Sequence, residues 1–442
     1  MVRCAWCALV IVALGLPALA WATPPPDVAL SLPVAESPTT APHPPCQIDQ
    51  LEITGLWRTD PAIVRRELPW QPGQVVSADQ WALGLARLWN MGLFSRVQAH
   101  LQLQDGQVCA LLNLEERWTI NPLFSFAVQA KRGSVGQSSS FWSVGGSDLN
   151  VAGQFVEAAA AFEQFDAFSG GLAFLRAHRF LGDRADAMLL WERLVRTRVG
   201  FADRRMRLRS EYNRLLTSDR LRVGGRLDWQ WDDMFDAEGL HQPLPPSSRS
   251  LVLDLGVRFG RVDVPRVRQV GASVELRPAI GVTWVNGGPQ THVQIWGQAL
   301  WFQAVGEHLN VAARAQFGWQ TEVVPALQFF LGGLYEVRGV RDSFLRADRF
   351  ALVNLEARMI AFDAMWLAIV PAVFADVAVA RDRLQGPALV ASAGGGVRLL
   401  VPRFVRTGLR IDMAVPMAGV ACSGNQNNRF CPGLSLGVFQ FF

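Results

Sequence analysis

The side chains that most often carry enzyme chemistry are scattered along this sequence. Six histidines occur singly, at positions 43, 100, 178, 241, 292 and 308. None belongs to a His-x-x-Glu-His metal motif, and there is no phosphate-binding loop. We therefore expect no catalytic residues, no bound metal and no cofactor.

One arginine occurs where its charge could lie at the tip of a tight loop, in the motif Val337-Arg338-Gly339-Val340. Glycine allows the backbone to turn where a side chain would collide. The same local pattern also fits an ordinary solvated turn. Its meaning therefore depends on the elements around it.

Those elements are predicted strands, because apolar and polar residues alternate with period two after Trp118. Clear examples lie at 220–231, 250–259 and 408–415, and a last alternating segment, 434–442, ends on Phe442. A soluble β-sandwich would alternate too, but the number of segments and the aromatic carboxy-terminus favour a membrane. Since lipid does not tolerate an open sheet edge, we predict a closed all-β transmembrane barrel of about 16 antiparallel strands over residues 118–442.

The charged face of these strands should line the lumen. An arginine facing the middle of a bilayer costs about 2–4 kcal/mol, and several alternating segments carry more than one. The composition agrees with a membrane barrel, with 50% hydrophobic and 18% charged residues. Lys131 is the only lysine and the arginines do not cluster, so we expect no nucleic-acid partner.

The N-terminus has the features of an export signal. Arg3 precedes an apolar run from Ala8 to Ala20, and Ala20-Trp21-Ala22 has the form of a signal-peptidase site. We assign residues 1–22 to a signal peptide. The Pro-, Ser-, Thr- and Ala-rich residues 23–45 then form an extended linker.

A small α+β domain is predicted over residues 46–117. A strand around Ile48–Ile53 precedes a helix that begins at Pro61, capped by Thr59 or Asp60. A capping box at Ser77 starts a second helix. Two strands follow, joined by Asp105-Gly106, a strong hairpin signal.

These patterns together resemble the BamA/TamA superfamily of outer-membrane assembly and translocation proteins, the bacterial surface antigen family. The strand-helix-helix-strand-strand order, with the segment 88–97, is similar to a single POTRA domain. The motif at 337–340 resembles the family's Val-Arg-Gly-aromatic loop tip, with Val340 in place of the aromatic residue. By strand count, that loop falls between barrel strands eleven and twelve.

The resemblance implies two sites. Arg338 should pair with Asp376 on the barrel wall, which would hold the loop inside the lumen. The seam between the first and last strands, Thr119–Ala127 and Leu434–Phe442, should be the weakest pairing and could open sideways. Pro122 and Gly437 favour a weak seam because proline lacks an N–H and glycine weakens a strand, although they also fit ordinary strand ends.

Four cysteines remain after removal of the signal peptide, in what would be an oxidising compartment. Cys422 and Cys431 bracket a polar, turn-rich loop, so we predict a disulfide between them. Cys46 and Cys109 would then pair within the small domain. Unpaired thiols remain the alternative.

The expected function is mechanical. The resemblance implies an outer-membrane barrel that inserts or translocates unfolded outer-membrane or secreted polypeptides, with the POTRA domain receiving them in the periplasm. Outer-membrane lipids and periplasmic accessory proteins are the other expected partners. Alternatives are a passive pore, the barrel of a two-partner-type secretion transporter, and a barrel-embedded enzyme.

Overall fold

The computed structural model describes residues 44–130, 138–165, 168–182, 184–198, 201–216, 220–236, 244–264, 267–321, 325–333, 335–340, 343–383, 386–404, 408–419 and 433–438. The predicted signal peptide, nearly all of the predicted linker, and Cys422, Cys431 and Phe442 lie outside these residues. Among the described residues, no helix combines the length and the apolar character that a bilayer crossing needs.

The N-terminal α+β domain comprises five strands and two helices: β1 Cys46–Ile48, β2 Gln50–Thr54, α1 Pro61–Glu67, β3 Gln74–Val76, α2 Ala78–Asn90, β4 Phe94–Gln104 and β5 Gln107–Glu116. Strands β2, β5 and β4 form one sheet in that order, with β2 parallel to β5, and β1 pairs with β3. The helices supply Val64 and Leu88, both fully buried, to the domain's core.

Local sequence accounts for the element ends. Asp60, one of the two predicted caps, accepts a hydrogen bond from the Ala62 amide with Pro61 at the first helical position. Ser77 and Gln80 form the predicted capping box of α2. Asp105 and Gly106 both have positive φ, at 52° and 80°, as a two-residue hairpin turn requires.

The domain contains one pairing that the predicted element order lacks. The single strand expected around Ile48–Ile53 is divided at Asp49, whose amide donates to the Val108 carbonyl. Its first part, β1, pairs with the short β3 between the two helices. Three-residue strands of this kind are too short for period-two alternation to reveal.

The predicted Cys46–Cys109 disulfide is not present, because both residues are free thiols. Cys46 lies opposite Val76 in the β1–β3 pair, whereas Cys109 lies in the other sheet, between Gln50 and Gln102. Burial raises the pKa of both thiols, which lowers the fraction of reactive thiolate.

The second unit is a closed antiparallel barrel of sixteen long strands with one two-residue addition, β20. Its strands are β6 Ile120–Ala130, β7 Ser138–Asp148, β8 Val156–Phe165, β9 Phe168–His178, β10 Ala185–Arg198, β11 Phe201–Leu215, β12 Leu221–Phe235, β13 Ser248–Asp263, β14 Val270–Val285, β15 Gly288–Val305, β16 Leu309–Gln320, β19 Arg349–Met359, β20 Phe362–Asp363, β21 Ala368–Asp382, β22 Gly386–Leu400, β23 Gly408–Ala418 and β24 Gly433–Val438. The predicted strand number and antiparallel closure are confirmed.

Side chains are distributed as the alternation predicts, with apolar residues outside and charged residues inside. On β13, Leu253 is 44% exposed while its neighbour Asp254 is 4% exposed. On the outer face of β11, Arg204 and Arg214 bracket the residues Met206, Leu208, Ser210 and Tyr212. Ten residues at about 3.3 Å each, on a strand tilted by roughly 40°, span about 25 Å, which matches the apolar band of a membrane barrel.

The barrel closes through a short pairing of its first and last strands. Among the described residues, three partner pairs join β24 to β6, whereas six join β24 to β23. Gly437 lies opposite Ser125. Pro122 is not among the β6 residues in these three pairs, and the predicted seam residues after Val438 lie outside the described residues.

Candidate functional site: an arginine-tipped loop inside the barrel

The loop that carries the Val-Arg-Gly motif connects β16 to β19, the eleventh and twelfth long strands of the barrel. Within it, two short strands, β17 Phe329–Leu331 and β18 Leu345–Ala347, pair with each other. The loop tip lies between them and folds back, with the Gly333 amide donating to the Val340 carbonyl. The motif is therefore presented by a small hairpin with its own backbone bonding.

The structure brings Arg338 and Asp376 together inside the barrel. Arg338 Nε donates to Asp376 Oδ2 at 2.8 Å and Nη2 donates to Oδ1 at 2.6 Å, a bidentate pair. The Arg338 backbone amide also donates to Oδ2, at 3.0 Å. The two residues are 2% and 0% exposed, so little water screens the pair.

A second carboxylate shares the same guanidinium. Arg338 Nη1 donates to Glu356 Oε2 at 2.5 Å, and the guanidinium carbon lies 3.5 Å from the centroid of the Phe374 ring. Glu356 comes from β19, and Phe374 and Asp376 both come from β21. Two adjacent strands thus form a charged and aromatic receptor for the loop tip.

The charge network extends from Glu356 along the lumen wall. Arg358 Nε and Arg398 Nη2 donate to Glu356 Oε1, at 2.7 and 3.1 Å. Arg398 and Arg410 donate in turn to Asp412, at 2.5 and 2.6 Å. Each buried charge thereby has a partner of opposite sign, which a low-dielectric interior requires.

Asn354 ties the receptor to the backbone of the loop. Its Nδ2 donates to Asp376 Oδ1 at 2.8 Å and to the Glu336 carbonyl at 2.6 Å. Arg314 Nη2 donates to the Tyr335 carbonyl beside it. The loop is therefore fixed through both its arginine and its main chain.

Gly339 allows the tip to approach the wall. It has φ of 77°, and a Cβ there would lie 2.8 Å from Ala414 Cβ and 2.8 Å from the Ala414 carbonyl oxygen. The flanking Val337 and Val340 are 1% and 4% exposed. They pack in an apolar cluster with Leu352 and other residues of the loop and wall. Val340 therefore fills its place in this cluster with a small apolar side chain.

The base of the loop is bonded to other parts of the wall. Arg205 on β11 donates to the Ala326 carbonyl at 2.8 Å and is held by Asp232 at 2.8 Å. Gln294 on β15 donates to the Leu327 carbonyl at 3.1 Å. With its tip on β19 and β21 and its base on β11 and β15, the loop lies across the bore.

The small domain is joined to the opposite end of the barrel. Glu67, 1% exposed, accepts a bidentate pair from Arg179 in the β9–β10 turn, at 2.5 and 2.6 Å. Leu149 and Phe155 of the β7–β8 turn are part of the domain's core cluster. Asn90 donates to Asp263 at the end of β13, at 2.9 Å. The domain thus contacts turns that are well separated around this rim.

Several of these residues were not singled out from the sequence. Glu356 and Arg358 lie in the alternating strand that follows the loop, and Arg398, Arg410 and Asp412 lie in the later strands. The sequence pattern that could have indicated them is the polar residue at every second position of these strands, which places the polar residues on one face. One Gly-x-Ser-x-Gly pattern also occurs, at Gly433–Gly437, but it lies within β24 rather than at the strand-to-helix turn that a nucleophile needs.

Comparison of the sequence with protein-family models and with curated proteins finds no match. Comparison of the structure finds similar solved structures at low sequence identity. Among them are BamA from Haemophilus ducreyi lacking POTRA domains 1–3, with 14% identity, a TM-score of 0.54 and coverage of 89% of this chain and 84% of that chain. CdiB from Acinetobacter baumannii has 14% identity, a TM-score of 0.57 and coverage of 89% and 74%. CdiB from Escherichia coli has 12% identity, a TM-score of 0.62 and coverage of 89% and 76%. The fold of this chain is therefore that of the BamA and CdiB barrels.

Proposed function

We propose that this chain is an outer-membrane protein that inserts or translocates other polypeptides. The observation that carries the proposal is the loop held across the bore by Arg338, Asp376 and Glu356. A buried, fully paired arginine on a loop is costly to assemble, and a simple diffusion channel has no need of it. The similarity to BamA and CdiB supports the same class of activity.

The N-terminal α+β domain is, on this proposal, a single POTRA domain in the periplasm that receives the client. In the described residues β4 lies at one edge of the sheet, in the order β2-β5-β4. An exposed edge can add an extended strand through main-chain hydrogen bonds, with little demand on the client's sequence. Unfolded outer-membrane or secreted polypeptides are the proposed clients.

A photo-crosslinking residue in place of Leu103, which is 64% exposed on β4, tests that role. We expect it to capture client polypeptides in cells. The same residue in place of Val75, which is 67% exposed on β3, is the matched control because it lies away from the β4 edge. Equal capture at both positions would contradict strand addition at β4.

The main alternative is a passive pore in which the loop only narrows the bore. Two measurements on the full-length protein distinguish the passive pore from our proposal. The first is the folding rate of an unfolded outer-membrane barrel, used as client, in liposomes that contain the protein. The second is the single-channel conductance of the protein. Our proposal predicts faster client folding than in empty liposomes and reduced folding with Asp376→Asn. A passive pore predicts no acceleration, together with a higher conductance when Asp376→Asn releases the loop.

A further inference from the structure

An arginine-lined groove lies on the outer surface of the barrel, away from the lumen network. It has a volume of about 670 Å³ and is lined by Arg193, Arg204, Met206, Trp231, Asp233, Ser247, Ser248, Arg249, Trp284, Asn286 and Gly287. The three arginines are exposed. The groove therefore presents positive charge on a face that is otherwise apolar.

The sheet register explains how these side chains come together. Arg193 lies opposite Met206, Met206 opposite Trp231, Trp231 opposite Arg249, and Arg249 opposite Trp284. They form one row across β10 to β14 on the outer face. Arg204 is two residues from Met206 on the same strand and so faces the same way.

The neighbouring row toward the middle of the barrel is entirely apolar. It consists of Trp191, Leu208, Trp229, Leu251 and Val282, again in direct register. The arginine row thus begins where the hydrocarbon-facing surface ends. Arg204 is also one of the two arginines that bracket the apolar band of about 25 Å on β11. This position is the depth of lipid headgroups.

The charges in the groove favour an anion. Within the described part of the chain, Arg193, Arg204 and Arg249 form no ion pair, although most lumen arginines do. Asp233 is the one acidic residue of the lining, opposite Arg204 in register. Guanidinium groups bind phosphate through paired, charge-assisted hydrogen bonds, and tryptophan is favoured beside headgroups.

We propose that this groove binds the phosphorylated headgroup of an anionic lipid in the leaflet at the loop-bearing rim. The β14–β15 turn, Asn286–Gly287, lines the groove and lies at the same end of the barrel as the β16–β19 loop. The small domain contacts the other end. The inference rests on the proposed membrane placement but not on the proposed client activity.

Native mass spectrometry of the detergent-solubilised full chain tests this site, with lipid A as the probe. We expect R193Q/R204Q/R249Q to weaken lipid A binding by roughly tenfold or more, because several charge-assisted bonds are removed. Dephosphorylated lipid A should bind the unsubstituted protein as weakly as lipid A binds the triple variant. Arg214→Gln is the matched control, since Arg214 lies on the same outer face at the opposite edge of the band.

A folding check and a charge-conserving variant distinguish loss of the lipid site from loss of the barrel fold. Heat-modifiable migration on gels establishes that the triple variant retains a closed barrel, and R193K/R204K/R249K, which keeps the charges, should recover part of the binding. Equal lipid A binding by the triple variant and the unsubstituted protein would overturn the proposal. Displacement of lipid A by millimolar inorganic phosphate would also overturn it, because the site would then recognise a free anion. If the unsubstituted protein binds lipid A but does not accelerate client folding in liposomes, only the proposed function is rejected.

Discussion

Arg338 donates to the Asp376 carboxylate from both its guanidinium and its own backbone amide, so one side chain on β21 fixes the orientation and the main chain of the loop tip at once. Glu356 supplies a second carboxylate to the same guanidinium. Because two carboxylates bind Arg338, the loop tip is fixed to the barrel wall. The alternative interpretation of the motif, a solvated turn, does not apply.

Asp376→Asn should therefore release the loop. Removing one partner of a buried ion pair costs about 3–5 kcal/mol. The single amide oxygen of asparagine also cannot accept both from Arg338 Nε and from Asn354 Nδ2, which bond to different oxygens of Asp376. We expect faster proteolysis within the loop of the folded, reconstituted barrel. Glu307→Gln, on the exposed β15–β16 turn, is the control and should behave as the unsubstituted protein. Loop proteolysis unchanged by Asp376→Asn would show that the pair does not hold the loop.

Charge reversal at both positions should rescue only part of what each single reversal removes. Arg338→Asp with Asp376→Arg restores the direct pair, but Glu356 and the amide at 338 remain matched to the original charges. Thermal unfolding in detergent should place the double variant between the single variants and the unsubstituted protein. A double variant less stable than either single variant would contradict the pairing.

Gly339→Ala tests the close approach of the tip to the wall. Both Gly339 and Gly287 have positive φ, at 77° and 82°, so alanine at either costs about 1–2 kcal/mol. At Gly339 the added Cβ would also meet Ala414, whereas at Gly287 nothing lies within 4 Å. We expect Gly339→Ala to be the more destabilising by about 1–3 kcal/mol. Equal unfolding midpoints for the two variants would argue that the tip does not pack on Ala414.

Glu67→Gln should loosen the α+β domain from the barrel, because Glu67 is buried and holds Arg179 through both oxygens. The expected cost is about 3–5 kcal/mol. Glu115→Gln is the matched control, since its contact with Arg96 is 3.8 Å long and exposed, worth about 0–1 kcal/mol. Increased cleavage at the junction between domain and barrel in Glu67→Gln alone is the expected result, and equal cleavage in both variants would contradict the docking.

A disulfide across the seam tests sideways opening. Ser125→Cys with Gly437→Cys places cysteines at partner positions of β6 and β24. If clients pass through this seam, oxidation should abolish assisted folding and reduction should restore it. Phe124→Cys with Val144→Cys, at partner positions of β6 and β7 whose side chains are exposed, is the control and should have no effect. Full activity in a completely crosslinked seam variant would rule out the gate.

The barrel was predictable because its signal is local and repeated. Leu253, Leu255 and Val257 alternate with Asp254, Gly256 and Arg258 along one strand, and similar alternation recurs in many of the other strands. The loop's place between the eleventh and twelfth strands follows from that count. The partner of Arg338 required a resemblance, because Asp376 is distant in sequence and is one of many acidic residues on the lumen face.

Other features depend on contacts that no local pattern encodes. The network from Glu356 to Arg398 and Asp412 joins separate strands, and alternation shows the face of each residue but not its partner. The docking of Glu67 on Arg179 joins residues far apart in the chain. The Cys46–Cys109 pairing was wrong because the break at Asp49 places the two thiols in different sheets.

The most direct test of the central claim is quantitative proteomics of the outer membrane and culture medium after depletion of this protein. Our account predicts the selective loss of one or more outer-membrane or secreted polypeptides, restored by the unsubstituted protein and not by the seam-crosslinked variant. Unchanged protein contents in both fractions, with only the uptake of small solutes affected, would contradict it.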